Sequence, residues 1–215
     1  MLPVSPKSLA ERELPLKIFT PEKWADCVLG DLNLLLCDHA HLEKKAALNA
    51  LTLLHRRPDC TDSRVEAARF WANALTQIAE EEVSHLKLVL EHLHRRAGNL
   101  RKNHANPYAT ALRSLERKGQ DPGDLIDRLL VSALIEARSC ERFLLLSNKV
   151  EDPQLAKFFS ALWSSEHGHY RTFIELACLV SHESEVFARW EEMLVMEAAI
   201  ICVQAAEPRI HSWPD

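Results

Sequence analysis

Two Glu-x-x-His tetrads, Glu82-Val83-Ser84-His85 and Glu166-His167-Gly168-His169, constrain this chain more than any other feature. Residues three apart on a helix lie about 300° apart in azimuth and one turn apart along the axis, so a Glu and a His at that spacing reach one point beside the helix. Each tetrad can therefore offer a metal ion one carboxylate and one imidazole. Each also follows an earlier helical stretch that turns a lone Glu inward, Glu43 before the first and Glu136 before the second. Four carboxylates and two imidazoles on four amphipathic helices are the pattern by which four-helix bundles hold a pair of metal ions.

Taken singly, these residues would say little. A lone inward Glu is usually salt-bridged, and a lone His is more often a hydrogen-bonded core residue than a ligand. Together they reverse that expectation, because four unpaired carboxylates aimed at one apolar core would repel one another and lose their hydration without a cation. Four negative ligand charges balance two ferrous ions. Oxygen donors mixed with single histidines suit iron or manganese better than copper or zinc.

The rest of the chain agrees with an all-α fold. Its 215 residues, 47% hydrophobic and 27% charged, make one substantial domain expected to span residues 1–215. Only five glycines occur, and the prolines gather near the ends and at a few breaks, which favours long helices over hairpins. Six scattered cysteines without a Cys-x-x-Cys pair read as buried free thiols of a reducing compartment. Pro3, Pro6, Glu11, Arg12 and Glu13 interrupt the apolar run a signal peptide would need, and the apolar stretch from Met193 to Ala206 is short and carries Glu197. A cytoplasmic protein with no membrane partner is expected.

Taken in order, an extended lead-in gives way at Thr20-Pro21 to a first long helix, expected to run unbroken to about Arg57 before Pro58. Asp62 or Ser63 is expected to cap a second helix that ends at Gly98-Asn99 and buries Phe70, Leu75, Ile78, Glu82, His85, Leu86 and Val89. Residues 99–123 form a long insertion with a short helix from Tyr108 to Lys118, a length that points to substrate contact more than to a connector. The third helix, Asp124 to about Lys149, carries Glu136 among core residues. Asp152-Pro153 opens the fourth, and a fifth, Glu185 to Ala206, is expected to pack outside the bundle.

Several neighbours of the proposed ligands need placing. Glu91-His92-Leu93-His94 begins two and a half turns after Glu82 and is expected on the solvated side. Glu141 competes with Glu136 but is turned about 140° from it, and with Arg138 it forms either support for the site or a surface pair. His39, one turn before Glu43, and His167, beside the fourth-helix pair, are candidates to support the ligands or face the substrate, with an ordinary structural role the stronger expectation for each. Between Arg95 and Lys118 seven Arg or Lys face one acid, Glu116, although the whole chain carries a net charge of −5. Such a band suits a polyanion, and Tyr108 with His104 could stack on an exposed base. Basic helix ends, however, also complement helix dipoles.

Longer runs carry a more specific likeness. His39-Ala40-His41-Leu42-Glu43-Lys44-Lys45-Ala46-Ala47, Glu80-Glu81-Glu82-Val83-Ser84-His85, Ile135-Glu136-Ala137-Arg138-Ser139-Cys140-Glu141-Arg142-Phe143, Ser165-Glu166-His167-Gly168-His169-Tyr170 and Arg209-Ile210-His211-Ser212 resemble the bacterial tRNA hydroxylases that act on 2-methylthio-N6-isopentenyladenosine beside the anticodon. The resemblance spans nearly the whole chain and implies a ferritin-like four-helix bundle, with an additional C-terminal helix and the long insertion between helices two and three. It implies a non-haem di-iron monooxygenase with two iron ions, dioxygen as co-substrate, and electrons from a separate reductase or ferredoxin. The family's ligand pattern carries over to Glu43, Glu82, His85, Glu136, Glu166 and His169 without a departure. Cys140, one turn after Glu136, would shape the pocket. Arg101, Lys102, Tyr108, Arg113 and Arg117 are the expected contacts to the tRNA anticodon loop. The competing expectation from the ligand set alone is a ferritin-like ferroxidase or peroxide-reducing protein, and a metal-free helical bundle that binds a partner is a third.

Overall fold

The computed structural model describes residues 14–56, 65–119 and 122–215. Seven α-helices account for most of them: α1 (Lys23–Leu29), α2 (Leu32–Leu53), α3 (Val65–Arg95), α4 (Pro107–Arg113), α5 (Gly123–Lys149), α6 (Pro153–Val180) and α7 (Glu183–Cys202). No strand occurs among the described residues. The four long helices α2, α3, α5 and α6 form the bundle, with α2 packed along α3, α5 along α6, and α3 meeting α6. Helix α7 packs outside the four, on α5 and α6, and the short α4 of the insertion lies against α5 and α7. No helix among the described residues is long and apolar enough to cross a membrane.

Helix boundaries follow from local chemistry. The first helix is broken where an unbroken one was expected: Asp31 leaves helical geometry (φ −135°, ψ 82°) and its carboxylate accepts from Leu34 N, so a new helix starts there. The break lets α1 turn Trp24 and Val28 into the core. Asn106 caps α4 and Asp152 caps α6 in the same way, each followed by a proline in the first turn. At the end of α3, Ala97 takes the left-handed conformation (φ 54°) and Gly98 N donates back to Leu93 O. A Cβ on Gly98 would stand 2.4 Å from the Leu93 side chain, which is why glycine occupies that position. The expected cap at Asp62 or Ser63 and the thiol of Cys60 lie outside the described residues.

Three expectations about facing are corrected. Phe70 is 41% exposed and Trp71 is the buried residue, its indole donating to Leu53 O, so the stripe of α3 runs through Trp71, Leu75, Ile78 and Glu82. His92 is buried against the Phe158 ring (4.8 Å between centroids), not solvated, because it follows His85 by seven residues and returns to the inner face. Glu91 and His94 do remain exposed. The cysteines, expected to be buried, are so only in part: of the five described, Cys37 and Cys140 are buried, Cys178 and Cys202 half-buried, and Cys27 exposed.

The third correction is the largest. Arg138 and Glu141 are not a surface pair but part of a fully buried network. Arg138 donates to Glu141 Oε2 (2.6 Å), to both carboxylate oxygens of Glu197 on α7 (2.9 and 2.8 Å), and to Ile18 O of the lead-in. Thr20 adds two hydrogen bonds to Glu141, and Tyr108 donates to Glu197 (2.8 Å). One guanidinium thus ties the lead-in, α5, α7 and, through Tyr108, the insertion together. Beside it Arg142 donates to Ser212 O and lies over the Trp24 ring (4.2 Å), fixing the C-terminal tail.

A second clasp carries a pH signature. The buried Asp127 carboxylate accepts from Arg117 and Arg189. Burial raises its pKa, but these bonds outweigh that and hold it below the usual 3.8. A depressed folded pKa contributes stability that is present above the unfolded value and lost as pH falls below it. Asp127→Asn is therefore expected to lower stability at neutral pH by about 2 kcal/mol and to flatten the loss below about pH 4, measured by urea unfolding across pH.

Candidate metal centre

The six side chains singled out by spacing meet inside the bundle, one helix contributing each lone Glu and each tetrad. Two overlapping groups have ligand atoms all within 4.8 Å of one another: Glu43, Glu82, His85 and Glu166, and Glu82, Glu136, Glu166 and His169. Glu82 and Glu166 belong to both. The geometry therefore distinguishes what spacing left open, with Glu82 and Glu166 between the two positions and Glu43 and Glu136 one on each flank. Each position receives one imidazole. All four carboxylates and His169 are buried, and His85 is nearly so.

The electrostatics are those of an acidic core held by its histidines. Burial raises the Glu82 carboxyl, and the Glu43 charge raises it further. Glu136 goes well above the usual carboxylate range through burial and then the nearby Glu166 and Glu82 charges. Burial also pushes Glu43 upward, but His39 beside it outweighs this and brings it down to about 2. Burial would depress His85, yet the Glu43 and Glu82 carboxylates, each 3.7 Å from its Nδ1, lift it to about 10. His169 is raised further still, against its burial, by Glu166 and its other carboxylate neighbours. Protons here stand where cations would be more effective.

Two observations test whether metal ions fit. Glu82 Oε1 and His85 Nδ1 are buried without a hydrogen-bond partner; Glu82 Oε1 lies 2.8 Å from His169 Nδ1, but not along a hydrogen-bond direction. Further, the outer atoms of the ligands are already held. His169 Nε2 donates to Glu81 Oε2 (2.8 Å), leaving Nδ1 toward Glu82 and Glu166, and His39 Nε2 donates to Glu43 Oε1. Such outer bonds fix a ligand's tautomer and direction. The cluster has the composition, burial and spacing of a metal site, and oxygen-rich sites with one imidazole per ion suit iron or manganese.

His39 thus supports the site where a bland structural role was expected. It packs on Phe143 (4.9 Å) and Phe158 (5.9 Å), which hold its ring against Glu43. Glu81 was not singled out by sequence, although it sits directly before Glu82 and its side chain is 37% exposed. His167 stacks on Trp163 (5.4 Å) away from the ligands' meeting point. Cys140 is buried, its thiol donating to Trp163 O, and it does not line the cavity.

A cavity of about 620 Å³ runs from the surface to Glu43, Glu82, Glu136 and Glu166. Helices α2 and α5 form two walls, and residues 104–113 of the insertion form a third. Leu42, Ala46, Val131, Ile135 and Phe143 make it apolar near the carboxylates, while Lys45, Arg113 and Arg128 stand among its polar lining. Lys45 is steered there: its ammonium donates to His104 Nδ1 (2.8 Å), His104 Nε2 donates to Asp38 (2.7 Å), and His41 stacks on the His104 ring.

Of the residues expected to contact RNA, Arg113 lines this cavity, and Arg101 and Lys102 are exposed near the insertion's start. Tyr108 is fully buried and bonded to Glu197, so it cannot stack on a base. Arg117 is committed to Asp127, and His104 is held between Lys45 and Asp38. A sequence reading sees a run of polar and aromatic residues in the insertion; their partners lie 10 to 89 residues away.

The family model of tRNA-(MS[2]IO[6]A)-hydroxylase (MiaE) matches residues 7–212, a span that includes all six clustered residues. The chain belongs to this family. It is 36% identical over 193 residues to the tRNA 2-(methylsulfanyl)-N(6)-isopentenyladenosine(37) hydroxylase of Pseudomonas putida, covering 90% of this chain and 89% of that protein. A protein of the same description from Salmonella typhimurium is 36% identical over 135 residues, 63% of this chain and 49% of the relative. Among solved structures, a protein from Synechococcus with aldehyde deformylating oxygenase activity superposes with a TM-score of 0.81 at 30% identity, over 92% of this chain and 96% of that one. The fold of the family member described here is thus the ferritin-like bundle that the sequence resemblance implied.

Proposed function

We propose that this chain is one domain that hydroxylates the isopentenyl tail of 2-methylthio-N6-isopentenyladenosine beside the anticodon of tRNA, at two iron ions held by Glu43, Glu82, His85, Glu136, Glu166 and His169. Dioxygen is the co-substrate, and electrons come from a separate reductase or ferredoxin in the cytoplasm. The observation that carries this reading is the cavity: cationic side chains in its polar lining, apolar walls below, and the carboxylate cluster at its floor. A ferroxidase or peroxide-reducing protein needs no cavity of that size or lining.

The chain's own residues perform most of what the reaction requires. Inserting one oxygen atom into a C–H bond takes one dioxygen, two electrons and two protons and releases water. The bound ions supply the place where dioxygen is reduced. Lys45 and Arg113 suit the phosphates of the loop, in place of the buried Tyr108 and the committed Arg117, while Arg128 is itself paired with Asp124 (2.8 Å). A loop base is cheaper to extrude than a duplex one, and its hydrocarbon tail replaces water between Ala46, Val131 and Ile135. Glu81 and His39 hold His169 and Glu43 in their ligand orientations while the tail is positioned.

Nucleoside analysis of bulk tRNA from cells with and without this protein tests the reading: the hydroxylated prenyl-adenosine is expected only with it, and its persistence without the protein would refute the assignment. Filling the cavity tests the route. Ala46→Phe is expected to lower kcat/KM for tRNA by about a hundredfold through misplacement of the tail, with metal content unchanged. Full activity in a folded Ala46→Phe protein would place the substrate elsewhere.

A further inference from the structure

Partway up the cavity one polar bridge crosses from α2 to α5. Asn49 Nδ2 donates to Ser132 Oγ at 2.9 Å, and Ser132 donates its only proton to Arg128 O at 2.9 Å. Because that hydroxyl proton is committed, the Asn49 amide must face Ser132 with its nitrogen, which fixes the amide's orientation. Its oxygen and its second N–H have no protein hydrogen-bond partner among the described residues, and both Asn49 and Ser132 line the cavity. Ser132 is buried and Asn49 half-buried.

Depth decides what such an amide would meet. Along α5 the lining passes from Glu136 at the floor through Ser132 to Arg128, which is 41% exposed at the side chain. Ser132 stands four residues, about 6 Å of helix rise, above Glu136. An isopentenyl chain reaches four bonds beyond the adenine N6, about 5 Å. With its tip at the carboxylate floor, N6 arrives level with Asn49 and Ser132, and the lining between the two levels, Ala46 and Ile135, is apolar like the chain itself.

Prenylated N6 keeps one N–H donor, and ring nitrogen N7 beside it accepts. The methylsulfanyl group at C2 crowds the other flanking nitrogen, N1. A carboxamide offers the matching acceptor and donor, the pairing by which Asn recognises adenine. We propose that Asn49, oriented by Ser132, reads the N6–H and N7 edge of the extruded nucleotide and thereby sets the depth to which its tail enters. This rests on the function proposed above and adds to it the residue that distinguishes an adenine from a purine with oxygen at position 6, which would place an acceptor against Asn49 Oδ1.

The test uses the iron-loaded protein and an anticodon stem–loop carrying the prenylated nucleotide, with 7-deaza and 1-deaza versions of the same RNA. In the wild-type protein the 7-deaza RNA is expected to lose about tenfold in kcat/KM and the 1-deaza RNA little. Asn49→Leu is expected to lose about 10- to 100-fold on the natural nucleotide and to become indifferent to 7-deaza replacement, with unchanged metal content. Ser132→Ala, which only frees the amide to turn, should show a smaller loss with the same sensitivity pattern. The deaza comparison on the wild-type protein needs no substitution: equal rates on the natural and 7-deaza RNAs would overturn the proposal, as would a folded Asn49→Leu protein that still discriminates them. A wild-type protein that hydroxylates none of the RNAs would instead overturn the function on which the proposal rests.

Discussion

Replacing Glu166 with alanine is expected to lower tRNA hydroxylation by about three orders of magnitude or more and to remove most of the stabilisation that iron gives. Glu166 belongs to both ligand groups, so its loss takes one donor from each position at once. In the metal-free protein two effects oppose each other. Glu166 lies between Glu136, whose carboxyl it helps to raise well above the usual range, and His169, whose imidazole it helps to keep protonated, so removing it exchanges a buried repulsion for a lost buried ion pair. Metal-free Glu166→Ala should therefore melt close to the metal-free wild type. Ferrous iron should raise the wild-type midpoint strongly and the variant's little, because a ligand stabilises the folded state only as far as it binds. A variant that keeps two ions and its activity would contradict the shared-ligand geometry.

Arg138→Met is expected to cost about 3 to 5 kcal/mol, since it leaves Glu141 and Glu197 buried without their cation. For a chain of this size that corresponds to a fall of about 10 °C in the melting midpoint. Glu141 is held below the usual carboxylate range despite its burial, chiefly by Arg138 and then Arg142. Adding Glu141→Gln and Glu197→Gln to Arg138→Met should restore part of the loss, because uncharged amides need no counter-ion. Loss of less than about 1 kcal/mol in the single variant would show that the network contributes little. Arg138 lies only two residues from Glu136 on the same helix, so metal content should be measured on the same samples.

The contrast between these two clusters shows what the sequence made legible. Glu82, His85, Glu166 and His169 are recognisable because their relation is local, three residues on one helix, and Glu43 and Glu136 because helical periodicity turns them inward. The bundle and its outer C-terminal helix followed from the same periodicity. Arg138, Glu197, Tyr108 and Ile18 carry no such relation; they meet across 59 to 120 residues, and each alone reads as an ordinary surface or loop residue. The break at Asp31 was hidden because the apolar spacing continues across it, whereas a capping carboxylate shows itself only in the backbone angles. Tyr108 and Arg117 suggested an RNA grip for the same reason: composition reveals a cationic band but not which cations are already paired.

Counting the ions answers most directly whether the six side chains act as one site. Anaerobic titration of ferrous iron into the metal-free protein, followed by calorimetry and by iron analysis after desalting, is expected to give two ions per chain, with Glu82→Ala and Glu166→Ala each abolishing the pair. One ion or none per wild-type chain, or two ions retained in both variants, would contradict a centre built on Glu82 and Glu166.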